Sequence, residues 1–105
     1  VKHHLINAYD RVLKKYDLLL MPTVGFRARE LPENGCSIEE YIKHASDMSS
    51  NTCQADVTGH PSISLPCGMD DDLPIGLMLT GRHFDDSLLI SASAAFEKAC
   101  NWMEL

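Results

Sequence analysis

The chain has 105 residues, 45% of them apolar, and a formal charge of −6. That length suits a single compact domain with a modest buried share, and that composition excludes a disordered chain. The acidic balance argues against a nucleic-acid binder, which needs a concentrated basic face. No apolar run approaches the ~20 residues that cross a bilayer, and the start carries no signal-peptide pattern. The four cysteines (Cys36, Cys53, Cys67, Cys100) are widely and irregularly spaced, without a Cys-x-x-Cys pair. Two disulfides would suit a secreted protein; without a secretory signal, free thiols and a cytoplasmic location are expected, and no metal site.

Val1 to Tyr16 reads as an amphipathic helix, with Leu5, Tyr9, Val12, Leu13 and Tyr16 on one face. Nothing stands before it that could cap it. Asp17 to Met21 follows as a short strand, apolar on both faces, stopped by Pro22. Thr23 to Gly35 is loop-like. Ser37-Ile38-Glu39-Glu40 fits a capping box, and a helix is expected from Ile38 to about Met48, with Ile38, Tyr41, Ile42, Ala45 and Met48 inward. Ser49 to Gln54 is polar and breaks that pattern.

Ser62–Cys67 and Ile75–Thr80 alternate in polarity and read as a hairpin, with Gly68 to Pro74 as a longer loop. Gly76, without a side chain, suggests a close neighbour. A last helix starts near Asp85, with Phe84 able to staple onto Leu89, and Leu88, Leu89, Ala92, Ala95, Phe96 and Ala99 as its buried stripe. The order helix, strand, helix, hairpin, helix gives an α/β class with a mixed sheet and flanking helices. Three strands leave open edges, and open edges invite pairing with further protein.

Spacing alone assembles no active site. Cys53 and His60 could form a thiolate–imidazole pair, but seven residues of loop fix no distance and no orienting group is evident. Ser62 and Ser64 lack the Gly-x-Ser-x-Gly elbow. His3 and His4 are adjacent on a helix and point apart. His44 reads as a surface residue. Asp70-Asp71-Asp72 lacks the glycine and the final glutamate of a calcium loop, and no phosphate-binding glycine pattern is present.

As a string the second half says more. Asn51-Thr52-Cys53-Gln54-Ala55-Asp56-Val57-Thr58-Gly59-His60-Pro61-Ser62-Ile63-Ser64-Leu65-Pro66-Cys67-Gly68 resembles the C-terminal region of the amidase signature family. Leu73-Pro74-Ile75-Gly76-Leu77-Met78-Leu79-Thr80-Gly81-Arg82-His83-Phe84-Asp85 continues the resemblance in order, and Tyr16 to Thr23 resembles the segment before it. The resemblance implies a larger α/β amidase fold, of which residues 1–105 are a C-terminal part. It implies hydrolysis of a carbon–nitrogen amide bond by a serine, a cis-peptide serine and a lysine, in a glycine- and serine-rich stretch upstream that this chain lacks. No catalytic residue is then expected here, and no cofactor or metal. The partners implied are a small-molecule amide and the N-terminal part of the same protein, with no direct nucleic acid and no membrane.

The resemblance puts Thr52, Asp56, Thr58 and His60 near the acyl-binding end of the cleft, as substrate-binding candidates. Many members carry asparagine at the position of Asp56, and a carboxylate cannot donate where an amide can. The same residues could instead only satisfy loop backbone groups. Gly59 would permit a backbone conformation closed to side chains. Other readings stay open: a separate chain that docks on a catalytic partner, a glutamine-dependent transamidase segment, or a non-enzymatic binding module. Extending the chain upstream of Val1 is expected to raise its thermal midpoint; an unchanged midpoint would count against the expectation of a missing N-terminal part.

Overall fold

The computed structural model describes all 105 residues. The chain runs α1 (Lys2–Leu13), β1 (Leu19–Pro22), α2 (Ile38–Asp47), α3 (Cys53–Thr58), β2 (Ser62–Asp70), β3 (Leu73–Thr80) and α4 (Asp86–Ala99), and ends in a 3-10 turn, Trp102–Glu104. The α/β class and the element order are as the sequence implies, with α3 and the final turn added.

The three strands lie in the order β1-β3-β2, and both pairings are antiparallel. This corrects the expected mixed sheet. The helical crossover does return the chain in its starting direction, since β1 and β2 are each antiparallel to β3. The hairpin's second strand inserts between them, so the two like-directed strands never touch.

The hairpin is tighter than its composition suggests. β2 and β3 pair through to Asp70↔Leu73, leaving only Asp71 and Asp72 as the turn. Both have positive φ, 47° and 60°, the type I′ geometry that matches strand twist. Asp tolerates that region better than most residues because its carboxylate can bond locally. Arg27 bridges Asp70 and Asp71 from the preceding loop, offsetting charge at the turn. Cys67 sits at a bulge: Pro66 faces Gly76 and Gly68 faces Ile75. Pro66 cannot donate to a ladder, and it stands where β2 forms the sheet edge.

Gly76 lies under a cross-strand bridge. Thr23 and Ser64, from the two flanking segments, share a hydroxyl–hydroxyl hydrogen bond of 2.5 Å directly over it. A Cβ there would stand 2.9 Å from Thr23 Oγ1 and 3.2 Å from Ser64 Oγ. Ser62 and Thr80, direct partners on β2 and β3, add a second hydroxyl–hydroxyl hydrogen bond on this face at 2.8 Å. This face of the sheet is therefore laced by hydroxyls. The other face carries the core: Leu65, Leu79 and Leu89, with Leu18, Ile63, Ala92 and Phe96 against them. α4 supplies Leu89, Ala92 and Phe96 at helical spacing, as its sequence indicates. Its stripe is narrower than expected, since Ser93 is buried while Ala95 and Ala99 face out. Ser93 satisfies its hydroxyl by donating to the Leu89 carbonyl.

Other expectations yield to the packing. Strand β1 begins two residues later than the sequence suggests, and Leu20 is 65% exposed, so only one face of the strand is covered. On α1, Leu5, Tyr9 and Leu13 turn inward but Val12 and Tyr16 do not. Helix α2 has its Ser37 cap, which accepts from the Glu40 N–H at 3.1 Å. Yet Ile38, Tyr41, Ile42, Ala45 and Met48 are exposed, because α2 stands off the sheet. Phe84, at φ 63°, is almost wholly exposed and does not staple; Asp85 faces Arg82 at 3.6 Å rather than capping α4.

The molecule is a slab of 47 × 41 × 17 Å with a radius of gyration of 16.0 Å, against about 13 Å for a globule of this length. Only 11 of 105 residues are buried. No helix is long and apolar enough to cross a membrane. The Gly76→Ala chain is expected to lose ~1–3 kcal/mol, read as a drop in thermal midpoint. Adding Ser64→Ala should return part of that loss; a Gly76→Ala chain as stable as the parent would show that the bridge over Gly76 is slack.

Candidate functional site

Arg82, in the turn after β3, holds α1 in place. Its Nε donates to the Leu13 carbonyl at 2.8 Å and its Nη2 to the Tyr16 carbonyl at 3.3 Å, with Asp17 Oδ1 at 3.2 Å. The Leu13 carbonyl ends α1 without an intrahelical partner and the Tyr16 carbonyl lies in the turn just beyond, so a guanidinium satisfies both and complements the helix dipole. The clamp fixes α1 beside the end of the hairpin.

At that end three side chains meet from three elements. Asp10 comes from α1, His60 from the turn into β2, and His83 from the turn after β3. Asp10 Oδ1 lies 3.3 Å from His60 Nε2 and 3.7 Å from His83 Nδ1. The imidazoles stack with centroids 3.9 Å apart, and Tyr9 closes the far side of His60 at 5.3 Å. His83 donates through Nε2–H to the Thr58 carbonyl at 2.9 Å, and its Nδ1 faces Asp10. The His60 side chain is fully buried, and its Nδ1 has no hydrogen-bond partner. Burial holds its pKa below 6.5, His83 lowers it further, and Asp10 partly opposes both.

The four binding candidates lie on or just beside α3. Asn51 anchors this segment by donating to the Pro22 carbonyl at 2.9 Å. Gly59 ends α3 at φ 76°, the left-handed conformation its glycine admits, and donates to the Ala55 carbonyl at 2.7 Å. Thr52 and Asp56 stand one helical turn apart; Thr52 is half-buried, and Asp56 is exposed and free of side-chain hydrogen bonds within the chain. Thr58 and His60 turn inward instead. The Thr58 hydroxyl donates to the Gln54 carbonyl at 2.8 Å, and both side chains are buried. The four candidates thus divide into an outer pair and an inner pair. Cys53 is exposed, with its thiol directed at the Ser50 carbonyl and no link to His60.

A cleft of about 790 Å³ opens between α2 and the segment after β1, floored by Pro74, Ile75 and Gly76 and walled by Phe26, Tyr41 and Met48. Arg29 spans its rim, its guanidinium 3.5 Å over the Phe26 ring and 2.9 Å from Asp47. The exposed stripe of α2 faces this cleft through Tyr41, Ala45 and Met48.

Sequence reading misses Asp10 and His83. They stand 50 and 23 residues from His60, so no motif joins them. The hairpin register holds a usable signal: Ser62 pairs with Thr80, so the residues just outside that pair, His60 and His83, leave the sheet at one end.

A small antiparallel sheet covered on one face by a helix, with a glycine-ended helix leading into the hairpin, defines an α/β arrangement. The amidase family model matches residues 1–90, and the chain belongs to the amidase signature family. It is 46% identical over 91 residues to an uncharacterized protein in the nthA 5′ region of Rhodococcus erythropolis, covering 87% of this chain and 46% of that protein. It is 39% identical to the enantioselective amidase of Rhodococcus rhodochrous (88% of this chain, 18% of that one). It is 42% identical to a glutamyl-tRNA(Gln) amidotransferase subunit from Methanosarcina mazei (86% and 18%). Among solved structures, a 6-aminohexanoate cyclic dimer hydrolase superposes with a TM-score of 0.79 at 28% identity, covering 96% of this chain and 23% of that one. A bacterial aryl acylamidase superposes with a TM-score of 0.80 at 28% identity (96% and 22%). The chain spans less than half the length of each of these.

Acid should weaken the fold at His60. Its folded-state pKa lies below the unfolded value, so the unfolded chain takes up the proton first as pH falls. The contribution is complete above about 6.5 and is lost as pH drops below that toward the folded value. Denaturant midpoints between pH 8 and 5 should decline, and His60→Gln should flatten the decline; equal slopes in both chains would remove His60 as its source.

Proposed function

We propose that this chain is the C-terminal part, residues 1–105, of an amidase signature domain that hydrolyses a carbon–nitrogen amide bond, with the reactive serine, cis-peptide serine and lysine upstream of it. The observation that carries the reading is the family match together with superposition of nearly the whole chain on two amide-cleaving enzymes. Its chemistry agrees. An amide resists attack, so an enzyme must activate a nucleophile and stabilise a tetrahedral oxyanion. The hydroxyls of Ser62, Ser64 and Thr58 are paired with Thr80, Thr23 and a backbone carbonyl, and none meets a lysine or histidine.

In this reading the chain supplies wall and floor. The covering of the exposed faces of β1 and α2 falls to the N-terminal part of the same protein. Thr52 and Asp56 face the amide substrate from α3, while Thr58 and His60 hold that segment from behind. Asp56 accepts hydrogen bonds and donates none, so it favours a donor on the substrate. No cofactor or metal takes part in the amide chemistry, and no nucleic acid or membrane partner is required of this chain. The location is cytoplasmic.

A second reading is favoured by the likeness to the amidotransferase: the complete enzyme passes the released ammonia to an acceptor. Glutamine-dependent turnover that needs a second substrate would select it over plain hydrolysis.

The test uses the complete enzyme and this chain in parallel. The chain alone should show no amidase activity. Asp56→Asn in the complete enzyme should change kcat/KM for its preferred amide about tenfold, or ~1.4 kcal/mol. Robust serine-reagent-sensitive hydrolysis by the chain alone would overturn the upstream placement of the triad. Unchanged turnover and substrate preference in the variant would remove Asp56 from the pocket.

A further inference from the structure

We propose that Asp10, His60 and His83 form a site for one divalent transition-metal cation of the zinc class, which pins α1 to the two turns at the end of the hairpin. The amide chemistry proposed above does not require it. One ligand atom from each residue lies within 4.8 Å of the other two. The distances from Asp10 Oδ1 to the imidazole nitrogens, 3.3 and 3.7 Å, bracket the edge of a tetrahedron with metal–ligand bonds of ~2.0–2.1 Å. Two imidazoles and a carboxylate are the donor set that suits zinc, cobalt and nickel over calcium or magnesium.

The surroundings are those of a ligand set rather than a chance surface cluster. His83 is oriented by its other nitrogen, which donates to the Thr58 carbonyl; this backbone anchor turns Nδ1 toward Asp10. His60 is sealed from water behind Tyr9, yet hydrogen bonding alone does not account for it. The nitrogen placed to ligate is Nε2, whose one polar contact, to Asp10 Oδ1 at 3.3 Å, is long for a hydrogen bond; the unpartnered Nδ1 is not a ligand atom here. Asp10 and His83 are 43% and 32% exposed in their side chains, so a cation can enter from solvent and keep a water as fourth ligand. The ring nitrogens of His60 and His83 lie within 4.8 Å of each other, and rotation of the partly exposed His83 ring about its Nε2 anchor is the movement that closes this edge on a cation. The three ligands come from segments far apart in sequence, so a bound cation would close two long loops at once.

Purified full-length protein, stripped with chelator, is titrated with Zn²⁺ by calorimetry and with Co²⁺ by visible absorption. One equivalent should bind, with a cobalt spectrum free of thiolate charge transfer. Asp10→Asn and His83→Gln should each weaken that binding at least about tenfold, while His3→Gln and His44→Gln leave it unchanged. The wild-type protein gives a check that needs no variant: zinc should shift the ring-nitrogen resonances of His60 and His83, not those of His3, His4 or His44. Binding weaker than about 1 mM, binding indifferent to Asp10→Asn and His83→Gln, or a charge-transfer band from cysteine would each overturn the proposal. So would ring shifts confined to other histidines. Unaltered His60 and His83 resonances at saturating zinc would do the same, reducing the cluster to a shared-proton triad.

Discussion

The guanidinium of Arg82 is the constraint from which the rest of the arrangement follows. It is anchored at the end of β3 and reaches the free carbonyls at the end of α1, so one cation joins the first helix to the sheet's central strand. Without that join, α1 rests on the apolar footing of Leu5, Ile6, Tyr9 and Leu13. A lysine could not make the same join, because it lacks the planar fork that serves two carbonyls and a carboxylate together. Once α1 is seated, Asp10 must lie against the turn that carries His60 and the turn that carries His83. The helix end, the hairpin end and the α3 segment are therefore one mechanical unit.

The second fixed point is the hydroxyl lacing over Gly76. β3 is central, and its neighbours reach across it through Thr23 and Ser64 because nothing projects between them. This couples the segment after β1 to β2 without a direct strand pairing. It also sets the floor of the adjoining cleft, where Gly76 lies beside Ile75 and Pro74. A floor so tied is held from both flanking segments at once.

Much of this is legible in the residues. Ser37 caps its helix as its spacing indicates, Gly76 marks a close approach, and Gly59 marks a left-handed backbone. The alternation around Ile63 and Leu65 finds the hairpin. What stays hidden depends on tertiary partners. The apolar stripe of α2 has helical spacing, but spacing names a face and not what covers it. Cys53 to Thr58 is too short for a helical period to register, and its polar start looks like a breaker. The Asp71-Asp72 turn is obscured because three acidic residues in a row look like a solvated loop, whereas two of them adopt the paired positive φ of a tight hairpin. Asp10, His60 and His83 are invisible as a group until the hairpin register joins their turns. The family resemblance runs deeper than any of this, since it lies in the order of whole blocks and not in a chemical constellation.

The 17 Å thickness of the slab has a thermal corollary. Apolar surface newly wetted on unfolding dominates the heat-capacity increment, and a layer this thin hides little of it to begin with. Taken by itself, the chain's increment falls below the ~1.2–1.5 kcal/mol/K usual for 100 residues. Its free-energy curve against temperature is accordingly shallow, with little of the curvature that brings on cold denaturation.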